Sequence, residues 1–68
     1  MAVAKIIEII GSSKKSWEDA ANNAVKTAAK TVRSLHGVEI VSQNGVIKDG
    51  KISEYRAVVK IAFTYEGE

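Results

Sequence analysis

Few side chains in this sequence could do chemistry, and their spacing narrows what that chemistry could be. His36 is the single histidine, and cysteine is absent. A lone imidazole cannot build a cluster of imidazole ligands, and without cysteine neither a thiolate metal site nor a disulfide can form. His36 is left as a cap on a helix C-terminus or, more simply, as an exposed histidine at a helix end. Ser12, Ser13 and Ser16 carry hydroxyls, but no histidine base stands beside them in sequence, so a nucleophile is unsupported. Gly11-Ser12-Ser13-Lys14 lacks the G-x-x-x-x-G-K-[ST] spacing of a phosphate loop. The acids are scattered, without the spacing of a calcium loop or a paired-metal site. No acid–base or nucleophile constellation emerges, and the expectation is a protein that is not an enzyme.

The elements that would position these residues belong to a small chain. Sixty-eight residues make one domain, residues 1–68. A chain of this size buries only about 60% of the surface its unfolded form exposes, so its own core is marginal. Small scaffolds of this kind need disulfides, a metal or partner subunits. With cysteine absent, partner subunits are the remaining staple. Hydrophobic residues make up 46% and charged residues 26%, a globular balance. The net charge of +2 comes from ten Lys and Arg against eight acids, spread along the chain. A nucleic-acid binder gathers its basic residues on one face or segment, whereas the densest cationic stretch here is Lys14-Lys15. No 18-residue apolar run suggests a membrane span, and the N-terminus lacks the pattern of a signal peptide. A cytoplasmic protein is expected.

The pattern of apolar residues divides the chain into strand, helix and hairpin. Ala2 to Ile10 is β-branched and apolar at Val3, Ile6, Ile7, Ile9 and Ile10, which predicts a strand ended by Gly11-Ser12-Ser13. Trp17, Ala20, Ala21, Ala24, Val25, Ala28, Val32 and Leu35 then recur at spacings of three and four, one face of a helix. Ser16 with Asp19 fits a capping box and starts that helix; it should stop near Leu35 or His36, with Gly37 in the left-handed terminating conformation. The alanines flatten the buried face and let the helix lie close to a sheet. Trp17, one residue past the cap on that apolar face, is expected in the core or an interface rather than as a clamp on a ligand ring.

Val38 to Ile47 predicts a second strand, with a bulge or bend at Asn44-Gly45. Lys48-Asp49-Gly50-Lys51 holds the Asp-Gly pair of a tight hairpin turn. Ile52 to Tyr65 predicts a long third strand, with Tyr55, Ala57, Val59, Ile61, Phe63 and Tyr65 facing the helix. Gly67 and Glu68 read as a polar tail. One helix covers one face of a three-stranded sheet; the other face keeps Val58 and Ala62 among charges, and the third strand offers a long backbone edge. Proteins rarely leave such an edge open, so a homo-oligomer is preferred to a monomer with a half-wet sheet.

The stretches Lys5-Ile6-Ile7-Glu8-Ile9-Ile10-Gly11-Ser12-Ser13 and Ser16-Trp17-Glu18-Asp19-Ala20 resemble the signature of the dodecins. So do Glu39-x-Val41-x-Gln43-x-Gly45, the turn Lys48-Asp49-Gly50-Lys51, and Glu54-Tyr55 leading into Val59-Lys60-Ile61-Ala62-Phe63. The resemblance runs over nearly the whole chain without gaps. It implies an α+β fold, a β-α-β-β protomer whose three-stranded antiparallel sheet wraps around one helix. It also implies assembly of twelve subunits into a hollow dodecamer of cubic symmetry. The dodecins store flavins (FMN, riboflavin or FAD), holding the ring systems in pairs near the three-fold axes. In some members coenzyme A or small ions also occupy the shell.

Three family ligand positions differ here. Gly37 stands where flavin-binding members carry the stacking tryptophan, Arg56 where they carry a glutamine that hydrogen-bonds the ring, and Val46 where a basic residue is common. Stacking on an aromatic side chain contributes roughly 1–3 kcal/mol per contact, so the expectation is weak or absent flavin binding. By its own sequence context Gly37 reads as a helix C-cap. Arg56, which only donates hydrogen bonds, reads as a salt-bridge partner of Glu39 or Glu54. A structural or ion-binding shell without organic ligand is a second expectation. A nucleic-acid-binding module is a third, weakened because Arg56, Val58, Lys60 and Ala62 offer no stacking platform.

Overall fold

A computed structural model describes residues 3–65 of the chain; Ala2, the Gly67-Glu68 tail and the Tyr65 side chain lie outside what is described. Four elements follow in the order β1 (Val3–Ser13), α1 (Trp17–Ala28), β2 (Leu35–Lys48) and β3 (Lys51–Tyr65). The three strands form one antiparallel sheet with β3 in the middle, in the order β1-β3-β2. The long alternating third strand therefore has no open edge; the edges belong to β1 and β2.

β1 does not end at Gly11. It pairs with β3 as far as Ser13, with Gly11 opposite Ala57 and Ser13 opposite Tyr55. Gly11 is where the helix comes down on the strand, since a Cβ there would collide with the Ala20 carbonyl oxygen and stand 2.8 Å from the Ala24 Cβ. The turn into the helix is held by side chains. Ser13 Oγ accepts from Lys15 N (2.9 Å) and donates to Asp19 Oδ2 (2.6 Å), while Asn23 Nδ2 donates to the Ser12 carbonyl (3.0 Å). Ser16 is the N-cap and its Oγ accepts from Asp19 N at 3.0 Å. The Asp19 carboxylate accepts from Ser13 Oγ and Asn23 Nδ2, so the N-cap half of the expected capping box is found while the acid is used to tie the helix start to β1.

The helix stops earlier than its periodicity suggests. It ends at Ala28, with Ala29 as a right-handed C-cap. Lys30 N and Thr31 N then bond to the Thr27 and Ala28 carbonyls in a tighter turn, and Ser34 takes the left-handed conformation (φ 61°) expected of Gly37. Gly37 is a residue of β2. Two physical causes combine: Thr27, Thr31 and Val32 are β-branched and weak helix formers, and Leu35 pairs in the sheet opposite Phe63. Val32 and Leu35 match the helical spacing by continuing an apolar pattern that the chain uses for its next strand.

The core is small: Ala20, Ala24 and Ala28 of α1 against Ala57, Val59 and Ile61 of β3, with Ile7, Ile9, Ala21, Val25 and Leu35 around it. Three alanines one turn apart make the flat face that lets the backbones approach. At the hairpin, Asp49 (φ 55°) and Gly50 (φ 77°) both adopt positive φ, as the two central residues of a type I′ turn require.

β2 carries extra residues at His36 and Val41, and β3 one at Ser53, where the ladder shifts register. The Asn44-Gly45 step itself stays in register with Arg56 and Tyr55. Bulges bend a strand and sharpen its twist, which shapes the hairpin into a curved arm. Ser53 Oγ donates to the Val46 carbonyl at 3.2 Å and ties the last of these irregularities.

Lengths settle how much of this sheet one helix can cover. A helix of 12 residues spans about 18 Å, and a strand of 15 residues about 50 Å. The molecule is 52 Å long with a radius of gyration of 13.9 Å, against about 11 Å for a compact chain of this size. The helix packs mainly on β1 and β3, so the helix-side residues of β2, including Val38, Ile40 and Ile47, stay exposed.

Candidate functional site

The register of the two ladders places the three family ligand positions. Paired residues point to the same side of a sheet, so the side away from the helix carries rows that cross all three strands. They read Ile6–Ala62–Gly37, Glu8–Lys60–Glu39, Ile10–Val58–Ser42 and Ser12–Arg56–Asn44, with Val46 opposite Glu54 beyond them. Gly37, Val46 and Arg56 therefore share one face.

They do not share one place on it. Arg56 lies six residues along β3 from Ala62, the partner of Gly37, a separation of about 20 Å. Val46 and Arg56 are diagonal neighbours at one end; Gly37 stands at the other. A single chain does not bring the three around one ligand.

Each position has its own surroundings. At Gly37 an added Cβ would meet only the Ala62 Cβ, at 3.7 Å, an ordinary contact, and its backbone is not in the left-handed region. Neither space nor backbone explains a glycine here, and the expected helix-capping role is corrected by its position inside β2. Val46 is half-buried and its carbonyl accepts from Ser53. Arg56 donates from Nε to Glu54 Oε2 at 3.2 Å. Of the two partners considered for it, Glu54 is the one found; Glu39 faces Lys60 instead. Arg56 is 48% exposed and Glu54 33%, so the pair is a surface ion pair that holds the guanidinium along its own strand.

Next to Gly37 is an open apolar groove of about 350 Å³, lined by Val25, Leu35, His36, Gly37, Val38 and Ile61. It exists because the helix ends at Ala28 and lies over β1 and β3, leaving a trough beside the first residues of β2. His36 sits in the bulge at its rim, exposed, not at a helix end. Among the described residues no group of three or more His, Cys, Asp and Glu side chains gathers as a metal site. No helix among the described residues is long and apolar enough to cross a membrane.

Trp17 is part of the structure's joinery. Its indole Nε1–H donates to the Asn44 carbonyl at 2.8 Å, and its ring meets that of Tyr55 edge-on at 4.8 Å between centroids. Sequence reasoning placed it in the core or an interface; its bond to β2 had no local signal.

The uncovered apolar side chains were partly missed. Ile6 (62%) and Ile10 (65%) are exposed and join Val58 and Ala62 on the open face. The alternation Ile6, Glu8, Ile10, Ser12 carries that signal, but Ile7 and Ile9 between them hide it. On the helix side, exposed Val38, Ile40 and Ile47 could be found only by knowing that the helix lies off the β2 side.

Similarity to known proteins agrees with this geometry. The dodecin family model matches residues 3–66. The chain is 38% identical over 64 residues to the calcium dodecin of Mycobacterium tuberculosis, covering 93% of this chain and 89% of that protein. It is 33% identical over 64 residues to the dodecin of Thermus thermophilus, covering 94% and 93%. A crystal structure of a mutant T. thermophilus dodecin superposes with a TM-score of 0.95 at 31% identity, covering 100% of both chains. The β-α-β-β order, the sheet with its third strand central and the single helix packed on it are those of the relatives it matches, and the chain belongs to the dodecin family.

Proposed function

We propose that this protein is a non-enzymatic dodecameric shell that binds or stores a small molecule, and that its hold on flavin is weak or absent. The observation that carries the reading is apolar surface left open on both sides of a sheet that one short helix cannot cover. Ile6 and Ile10 stand on one side, Val38, Ile40 and Ile47 on the other. Surface of this kind marks an interaction site, and neighbouring copies offer matching surface of the same kind in a closed assembly. Convergence of Gly37 with Arg56 then becomes a property of the assembly, since their separation along one chain prevents it.

The weak flavin site follows from chemistry at two positions. Gly37 offers no ring to stack on. Arg56 offers only donors where a ring edge calls for both a donor and an acceptor, and its Nε already serves Glu54.

Calcium is a second reading, because the M. tuberculosis relative bears that ion in its name. The described carboxylates of one chain do not gather three together, so a calcium site would need ligands from beyond them.

Native mass spectrometry with an absorption spectrum tests the whole reading. A particle of twelve 7.3 kDa chains, with little absorbance between 300 and about 500 nm and little quenching of added flavin, is the expected result. A monomer or dimer would overturn the shell, and full quenching at micromolar flavin would overturn the weak site.

A further inference from the structure

The outer half of the hairpin runs past the N-terminal end of α1, and one side chain fastens it there. β2 is an edge strand, so part of its backbone has no partner within the sheet. Trp17 donates from its indole N–H to a carbonyl of that strand, at Asn44, with an N···O distance of 2.8 Å. Among the described residues this is the hydrogen bond that joins α1 to β2, two elements that otherwise touch little. The Trp17 ring also rests edge-on against Tyr55 of β3, at 4.8 Å and 79°. Tyr55 pairs with Gly45, and Asn44 pairs with Arg56, so both attachments fall on neighbouring rungs of the ladder. Beyond those rungs the apolar pair Ile47–Ile52 lies on the helix side with no helix over it, 73% and 47% exposed.

We propose that Trp17 is a latch: through the Asn44 carbonyl and the Tyr55 ring it fixes the outer arm of the β2–β3 hairpin to the N-terminus of α1. It sets the angle at which that arm presents Val46, Ile47, Ile52 and Arg56. Trp17 is thus a positioning residue, acting through Asn44 on side chains it does not touch. A phenylalanine at this place would keep the ring contact and lose the hydrogen bond, which separates latching from packing. The latch stands on the chain's own geometry; its consequence for assembly rests on the proposed shell.

Amide hydrogen exchange on the full-length assembled protein tests it, comparing wild type with Trp17→Phe. The expected result is at least a tenfold rise in exchange for amides of residues 43–47 and 52–56, with Ile7, Ile9, Val59 and Ile61 unchanged. Equal exchange of the arm in the two proteins would overturn the latch, and so would a uniform rise across the sheet. Should Trp17→Phe fail to fold, the wild type gives the answer through its single indole resonance. A bonded indole N–H exchanges many-fold more slowly than that of a tryptophan in an unfolded peptide, and an equal rate overturns the proposal. Native mass spectrometry of the same variant reads assembly separately. Faster arm exchange with easier dissociation supports the latch and its role in the shell. Faster arm exchange in a protein whose wild type is itself monomeric supports the latch while overturning the shell.

Discussion

Gly11 of β1 and Ala20 of α1 touch backbone to backbone: a Cβ on Gly11 would run into the Ala20 carbonyl oxygen and press within 2.8 Å of the Ala24 Cβ. The contact sets the distance between helix and sheet, because Ala20 and Ala24 are both buried core residues. Neither obstacle is a flexible side chain, so the helix itself must shift to admit a methyl group. Gly11→Ala is expected to destabilise the protein by about 1–3 kcal/mol, the usual cost of overpacking. Gly37→Ala, which meets only ordinary contact, should be neutral or slightly stabilising through its effect on the unfolded chain. Urea denaturation at one fixed protomer concentration compares the two. A Gly11 variant as stable as wild type would mean that the helix rides higher on the sheet than described.

Gly11 also shows where sequence reading fails. A glycine followed by two serines carries every local mark of a strand end, yet its role is set by the helix residues Ala20 and Ala24 that pack on it. The helix start was legible because Ser16 and Asp19 lie three apart and act locally. The turn was legible because Asp49 and Gly50 tolerate positive φ at little cost. The helix end was not, since Val32 and Leu35 keep the helical period while serving a loop and a strand. The candidate ligand positions were legible only by family resemblance, and their scatter along one face depends on a ladder register with three shifts. Those shifts arise from tertiary pairing, for which single residues give little warning.

The Arg56–Glu54 pair allows a prediction of small size. It joins residues two apart on the same strand, with 48% and 33% exposure. Exposed pairs contribute roughly 0–1 kcal/mol because water screens them and ordering the side chains costs entropy. Arg56→Ala is therefore expected to move the denaturation midpoint little, with a loss below about 1 kcal/mol. A double-mutant cycle with Glu54→Ala measures the coupling. A larger coupling would mean that the pair becomes buried when copies assemble.

Ile6 and Ile10 test the open face. They lie on rows with Ala62 and Val58, on either side of the charged row Glu8–Lys60–Glu39. At 62% and 65% exposure, neither contributes much to the core of one chain. Ile10→Lys should therefore leave the protomer's secondary structure intact while shifting the particle towards smaller species. Burying an isoleucine side chain is worth about 1.5–3 kcal/mol, and a closed shell repeats the loss in every subunit. Circular dichroism read beside native mass spectrometry separates the two effects. An unchanged particle would show that this face points to solvent in the assembly.

Gly37 and Arg56 give the last prediction, and their separation shapes it. Gly37→Trp has room, since the Cβ meets Ala62 at 3.7 Å and the backbone accepts any L-residue. Arg56→Gln removes a side chain committed to Glu54 and supplies an amide that both donates and accepts. The double variant is expected to bind flavin about tenfold or more tightly than the parent, from a stacking contribution of roughly 1–3 kcal/mol. The positions lie about 20 Å apart along β3, so one chain cannot close both on one ring. The combined gain should appear only in the assembled particle and vanish where the particle dissociates, whereas the Gly37→Trp contribution alone can persist in separated chains. Flavin fluorescence titrated at protein concentrations above and below dissociation distinguishes these outcomes. Equal gain in both regimes would place the binding site within one protomer.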